Sequence, residues 1–176
     1  MRYVSTRGNA PELDFSEVLL TGLARDGGLY LPKEFPQLST EEISGFAGKP
    51  YSEVALKVIA PFVGDSIPQD DLKQMIDEAY ASFAHKAVTP LVQTAPNTYV
   101  LELFHGPTLA FKDVAMQLLG RLMDYVLAQK GTRAPLLAPL PATLAARPLR
   151  HSVVVSGPTS SSCSLKDVSL LFSSVR

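Results

Sequence analysis

Apolar residues recur at helical spacing in several separate stretches of the chain. Phe15, Val18, Leu19 and Leu23 follow Asp14, with Glu17 three residues after the aspartate, a capping-box pattern that predicts a helix there. Ser39 and Glu42 repeat the pattern ahead of a short helix expected to stop near Gly45 or Gly48. Tyr51 to Val63 and Asp70 to Phe83 read as two further helices. In the second, Leu72, Met75, Ile76, Ala79 and Phe83 form the apolar stripe, Pro68 stands near its start, and mixed charges occupy the other face. Asp113 to Lys130 is the longest helical stretch, closed by Gly131 in the C-cap position. Strand patterns are fewer. Tyr3-Val4-Ser5 is a short candidate, and the turn Arg25-Asp26-Gly27-Gly28 leads into the apolar Leu29-Tyr30-Leu31. Leu91 to Thr94 and Tyr99 to Leu103, around Pro96-Asn97, predict a hairpin. Helices come first and strand, strand, helix follow, an order that predicts a helical N-terminal domain and then the opening of an α/β domain.

Composition narrows the function classes. The chain has 176 residues, 46% apolar and 19% charged, enough for one sizeable core. Its net charge of -1 offers no electrostatic footprint for nucleic acid or an anionic membrane. No apolar run reaches the roughly 18 residues of a membrane span, and Met1 to Gly8 lacks the apolar core of a secretory signal. The single cysteine, Cys163, cannot form an internal disulfide and has no metal-ligand spacing around it, so the expectation is a cytoplasmic protein without a metal site.

These averages hide a break near Ala134. Up to that residue the chain carries 12 Lys+Arg against 16 Asp+Glu; from Pro135 to Arg176 it carries 4 basic residues, the single acid Asp167, 5 prolines and 9 serines. Apart from Ser152 to Val155 and Val168 to Phe172, that tail lacks the apolar periodicity of packed elements and is expected to be disordered.

Chemistry concentrates in Leu103-Phe104-His105-Gly106-Pro107-Thr108-Leu109-Ala110-Phe111-Lys112-Asp113, where a strand ends, a Gly-Pro loop turns and a lysine stands at the start of the long helix. The helix dipole disfavours a cation there, with Asp113 a partial offset. Flanking Ala110 and Phe111 are expected to desolvate the lysine in part, and both effects favour a nucleophilic neutral amine. A solvated surface lysine is the alternative.

The segment His105 to Asp113 resembles the pyridoxal 5'-phosphate lysine motif of threonine synthases. Tyr3-Val4-Ser5-Thr6-Arg7-Gly8 and Asp26-Gly27-Gly28-Leu29-Tyr30-Leu31-Pro32 are similar to that family's N-terminal domain. The resemblance runs through about residues 1 to 134. It implies an α/β fold class: a helical N-terminal domain (1–85), then the beginning of a fold-type II, tryptophan synthase β-like cofactor domain (86–134), truncated before an aberrant tail (135–176). It implies that Lys112 holds pyridoxal 5'-phosphate as a Schiff base and moves protons while O-phosphohomoserine loses phosphate and gains water to give threonine. His105 and Thr108 share the loop; they either face the cofactor or substrate or order the loop itself. Arg7 and Asp26 are expected to be structural, and Cys163 to carry no chemistry.

The family also needs a glycine-rich loop to cradle the cofactor phosphate, one strand after the lysine helix and resembling Ser-Gly-Asp-Thr-Gly. Leu140 to Ala146 stand there instead, and in Ser156-Gly157-Pro158-Thr159 the proline removes an N–H such a cradle would use. Read one phase out of frame, Leu140 to Pro148 permits TCC-GGC-GAC-ACT-GGC-GGC-GCG-GCC, which spells S-G-D-T-G-G-A-A. The same phase continues through Ser156 as a permitted I-E-A-F-R-G-R-E, and from Pro158 to Arg176 again as sequence similar to threonine synthases. The expectation is therefore a frameshifted tail, no stable cofactor binding and a chain inactive by itself. A catalytically dead fragment or interaction module, and a phospho-lyase of the same family, are the other readings.

Overall fold

The structure, a computed structural model, describes residues 1–132, 134–137 and 152–155. The chain divides into two compact units, Met1–Leu118 and Leu119–Arg176. In the first, strand β1 (Tyr3–Ser5) precedes helix α1 (Phe15–Thr21) and pairs antiparallel with β2 (Tyr30–Pro32), Val4 facing Leu31. Helices α2 (Thr40–Ser44), α3 (Tyr51–Val63) and α4 (Gln69–Tyr80) follow, with one 3-10 turn at Gly64–Ser66 between the last two. Strands β3 (Leu91–Ala95) and β4 (Thr98–Leu101) form an antiparallel hairpin. Helix α5 (Asp113–Lys130) begins in the first unit and continues into the second.

Local chemistry explains these elements. Both expected capping boxes are present: the Asp14 side chain accepts from Glu17 N–H and the Ser39 side chain from Glu42 N–H, while each glutamate reaches back to its cap's N–H. Helix α1 stops at Thr21 because Gly22 turns the backbone to φ 70, so Leu23 falls off the predicted stripe and is 63% exposed. Helices α3 and α4 pack on one another, and Ala55, Val63, Leu72, Met75, Ile76 and Ala79 are buried along them. Phe83 was expected on the α4 stripe, but the helix ends at Tyr80. Beyond it the Ser82 hydroxyl donates to the Ala79 carbonyl and Phe83 N–H to Tyr80, a tightening turn in place of further α-helix.

Side chains tie the small sheet to the helices. The Tyr3 hydroxyl donates to the Phe62 carbonyl at 2.7 Å, and burial of the ring pushes that phenol's pKa up. Asp26 organises the turn before β2. Its carboxylate accepts from Gly28 N–H, from the Ser5 hydroxyl and from Asn9 N–H, while Arg7 Nη1 donates to its carbonyl at 2.9 Å. A Cβ at Gly28 would collide with Ser5 Oγ, so only glycine fits where β1 and the turn meet. The structural role expected for Arg7 and Asp26 is therefore what the geometry gives them.

In the second unit, Leu122, Met123, Val126 and Leu127 are buried along α5, and Gly131 follows the helix at φ 59. Strands β5 (Ala134–Leu137) and β6 (Ser152–Val155) pair antiparallel. Thus Pro135 to Leu137, expected to be disordered, lie in a strand, and Ser152 to Val155, the stretch set apart for its apolar pattern, forms its partner; Val168 to Phe172, Gly157 and Cys163 lie outside the described residues.

Two outcomes follow. Leu72→Ala removes a fully buried side chain and should cost about 2–5 kcal/mol in urea unfolding, whereas Leu23→Ala should stay within about 0.5 kcal/mol. The Gly28 N–H first, then the Ser5 hydroxyl and the Asn9 N–H, hold the Asp26 carboxyl below the usual carboxylate range. A carboxylate with a lowered folded-state pKa contributes its stability fully above the unfolded value of about 3.9, and loses it as pH falls through the folded value. Asp26→Asn should therefore lower the urea midpoint at neutral pH and flatten its fall below about pH 4.

Candidate functional site

The loop between β4 and α5 is built around a buried carboxylate. Asp113, the first residue of α5, is 4% exposed, and its oxygens accept from Thr108 N–H at 2.8 Å and from the Thr108 hydroxyl at 2.9 Å. Gly106 lies directly beneath it, and a Cβ there would run into the Asp113 side chain. Leu109 N–H donates to the Gly106 carbonyl at 3.1 Å and Asp113 N–H to Ala110 at 3.0 Å. Leu109 takes φ 60, a left-handed conformation that costs a non-glycine residue about 1–2 kcal/mol. The loop is thus held closed at its base, and its tip faces solvent.

Lys112 stands at the rim of this closure. Its carbonyl accepts Met116 N–H at 2.8 Å, which places it as the residue just before α5, at the start of the helix as expected. Its side chain is exposed, against the expected partial desolvation. The reason is that its apolar neighbours cover nothing: Ala110 is itself exposed, and Leu109 and Phe111 are 72% and 65% exposed.

His105 and Thr108 both have their polar atoms engaged within the protein. His105 Nε2 lies 2.7 Å from Glu102 Oε2, with the two side chains only 18% and 25% exposed. The histidine ring also sits 5.2 Å from that of His85 and 4.7 Å from that of Phe104, centroid to centroid. Its carbonyl accepts Ala84 N–H at 2.9 Å. Thr108 spends its hydroxyl and its N–H on Asp113. Glu102 was not singled out from sequence, although an acid three residues before a histidine in one loop was the available signal.

Helix α4 reaches this loop through Tyr80, whose hydroxyl donates to the Val114 carbonyl in the first turn of α5 at 3.1 Å. The Tyr80 ring packs edge-on against Tyr51, centroids 4.8 Å apart, and burial drives its pKa well up, so the hydroxyl stays a donor. The N-terminal helices thereby fix the start of α5 two residues from Lys112.

Two general features bear on chemistry. Among the described residues no helix is long and apolar enough to cross a membrane, and no group of three or more His, Cys, Asp or Glu gathers to hold a metal ion. The expected phosphate-loop position, Leu140 to Pro148, lies outside the described residues.

Comparison with known proteins gives one result throughout. The family described as threonine synthase N terminus matches residues 2–80. The threonine synthase of Pseudomonas aeruginosa is 57% identical over 137 residues, covering 78% of this chain and 29% of that protein. That of Methylobacillus glycogenes is 45% identical over 146 residues, covering 78% of this chain and 30% of its own length. Among solved structures, PLP-bound threonine synthase from Brucella melitensis superposes with a TM-score of 0.74 at 66% identity, over 76% of this chain and 29% of that one. The chain thus spans under a third of the length of these relatives. Over the residues that these matches cover, the chain belongs to the threonine synthase family.

Proposed function

We propose that the activity encoded in this sequence is that of a pyridoxal 5'-phosphate-dependent threonine synthase, making threonine and phosphate from O-phosphohomoserine and water, and that this chain is by itself inactive. One observation carries the reading. The His105–Asp113 segment, in a chain of this family, folds into a loop that presents the Lys112 amine to solvent at the start of an 18-residue helix. Lys112 is the proposed catalytic residue and cofactor attachment point; the bound cofactor would supply an electron sink. Asp113 is a positioning residue, since its carboxylate closes the loop from which the lysine projects. His105 and Thr108 act here as parts of that closure.

The loop does not itself fit the phosphate end of the cofactor. Thr108, Leu109 and Asp113 N–H groups all donate within the loop, so they make no anion cradle. That cradle would have to come from elsewhere in the chain, and the shifted-phase spelling at Leu140 to Pro148 supports reading the tail after about Ala134 as a frameshifted stretch and this chain as a non-catalytic, cytoplasmic fragment.

Three measurements test these points. The nucleotide sequence across Leu140 to Pro148 should spell S-G-D-T-G-G-A-A in the shifted phase; any other reading ends the frameshift proposal. The 176-residue chain should bind no pyridoxal phosphate after dialysis, whereas the frame-restored chain should show the absorbance of lysine-bound cofactor and form threonine, with Lys112→Ala abolishing the band and lowering kcat about a thousandfold or more. Asp113→Ala leaves two Thr108 donors without their acceptor and should cost about 1–3 kcal/mol, with faster proteolytic cutting between Gly106 and Lys112.

A further inference from the structure

The connection between α4 and β3 holds an unusual backbone. Val88 takes φ 58, although it is β-branched, and its side chain is buried. A left-handed conformation is an outlier for such a residue and persists only where surrounding contacts hold it. Two bonds to one residue do so here: the His85 carbonyl accepts Val88 N–H at 2.8 Å, and the His85 ring accepts Ala87 N–H at Nδ1, 3.1 Å away. The same segment is tied to the lysine loop. Ala84 N–H donates to the His105 carbonyl at 2.9 Å, the two imidazole rings lie 5.2 Å apart, and the loop carries a second left-handed residue, Leu109.

The two histidines answer a proton in opposite ways. His105 Nε2 faces the Glu102 carboxylate at 2.7 Å, so this ring donates there whether it is neutral or charged. His85 Nδ1 meets an N–H, which can only donate, so that bond exists only while Nδ1 keeps its lone pair. The His85 side chain is exposed, and a proton reaches it from solvent. Ionisable groups stand around it on two segments: Lys86 next to it in the chain, and His105 with its partner Glu102 from the end of β4 onward. Asp113, beyond Gly106, is engaged by Thr108. We infer that His85 is a pH-sensitive latch on the lysine loop. A proton at Nδ1 withdraws the acceptor of Ala87 N–H, releases Val88 from its left-handed conformation and, through the Ala84 bond to His105, loosens the loop that carries Lys112. The contact is complete where the ring is neutral and is lost as pH falls through the histidine range, about pH 8 to 5. This is a property of the backbone, so it stands or falls apart from the proposed activity.

The test follows the backbone NMR signals of Ala87, Val88 and Leu109 in the full 176-residue chain across that pH range. At its upper end the Val88 carbon shifts should be those of a left-handed residue. On acidification they should move toward extended values, and the Leu109 amide should move with the same midpoint. His85→Asn places an oxygen acceptor close to the Nδ1 position that takes no proton in this range, so that chain should keep the high-pH signals throughout. His85→Ala offers no acceptor and should show the low-pH signals from the start. His105→Gln keeps a donor toward Glu102 and should leave the titration of Ala87 and Val88 in place. The inference is overturned if Val88 of the wild-type chain is not left-handed at the upper end, or if its signals stay constant on acidification. It is equally overturned if His85→Asn titrates as the wild type does, or if His85→Ala keeps the high-pH signals. A titration that vanishes in His105→Gln assigns the sensor to the other ring, and a Leu109 signal that stays constant while Val88 moves breaks the link to the loop; either result overturns it as well.

Discussion

The burial of the Asp113 carboxylate is the constraint on which the lysine loop depends. An almost fully covered carboxylate needs its lone pairs satisfied, and Thr108 does so with both its backbone N–H and its hydroxyl. That pairing draws the chain back over Gly106, where a side chain would collide with Asp113, and forces Leu109 into a left-handed conformation. The unsatisfied N–H groups and dipole at the start of α5 favour an acid at this position, so helix and loop ask for the same residue. Lys112 has its place because its neighbour is anchored: one residue of the pair points inward to hold the loop, and the other stays free at the surface.

This closure is joined to the helical part of the molecule by a short set of bonds. The Tyr80 hydroxyl meets the Val114 carbonyl, and Ala84 N–H meets the His105 carbonyl, so α4 and the turn after it grip the loop from both ends. Pairing of His105 with Glu102 adds a third tie on the strand side. The α3–α4 packing, with Leu72 and Ile76 fully buried, gives those ties a stable base. In this arrangement helices α3 and α4 act as a support for the start of α5.

Short-range patterns were the legible part of the sequence. The capping boxes at Asp14 and Ser39, the bounds of α3 and α5 and the hairpin around Pro96-Asn97 each depend on residues within a few positions of one another, and each is present. The early end of α4 was hidden because Phe83 keeps the apolar spacing while Ser82 and Phe83 bond back into a turn. The exposure of Lys112 was hidden for a different reason. Apolar neighbours in sequence suggest desolvation, yet Leu109, Ala110 and Phe111 lie at a loop tip and have nothing to pack against within the described residues. Glu102, three residues before its partner His105, did leave a local signal, whereas Tyr80 as the partner of Val114 lies at a chain separation that no local pattern encodes.

The same contrast explains why the hairpin and the lysine loop share one character. Each is locally well specified: the hairpin by its register, the loop by its buried carboxylate. Each also turns large apolar groups to solvent, and covering such a side chain is worth about 1.5–3 kcal/mol. Local rules can set a turn or a cap, but they cannot supply the surface that a strand or a loop tip is shaped to meet. A sequence with apolar residues on both faces of a hairpin and beside an exposed lysine is specified for neighbours beyond its own helices. The isolated chain can therefore hold Lys112 in position without also providing an enclosure around its amine.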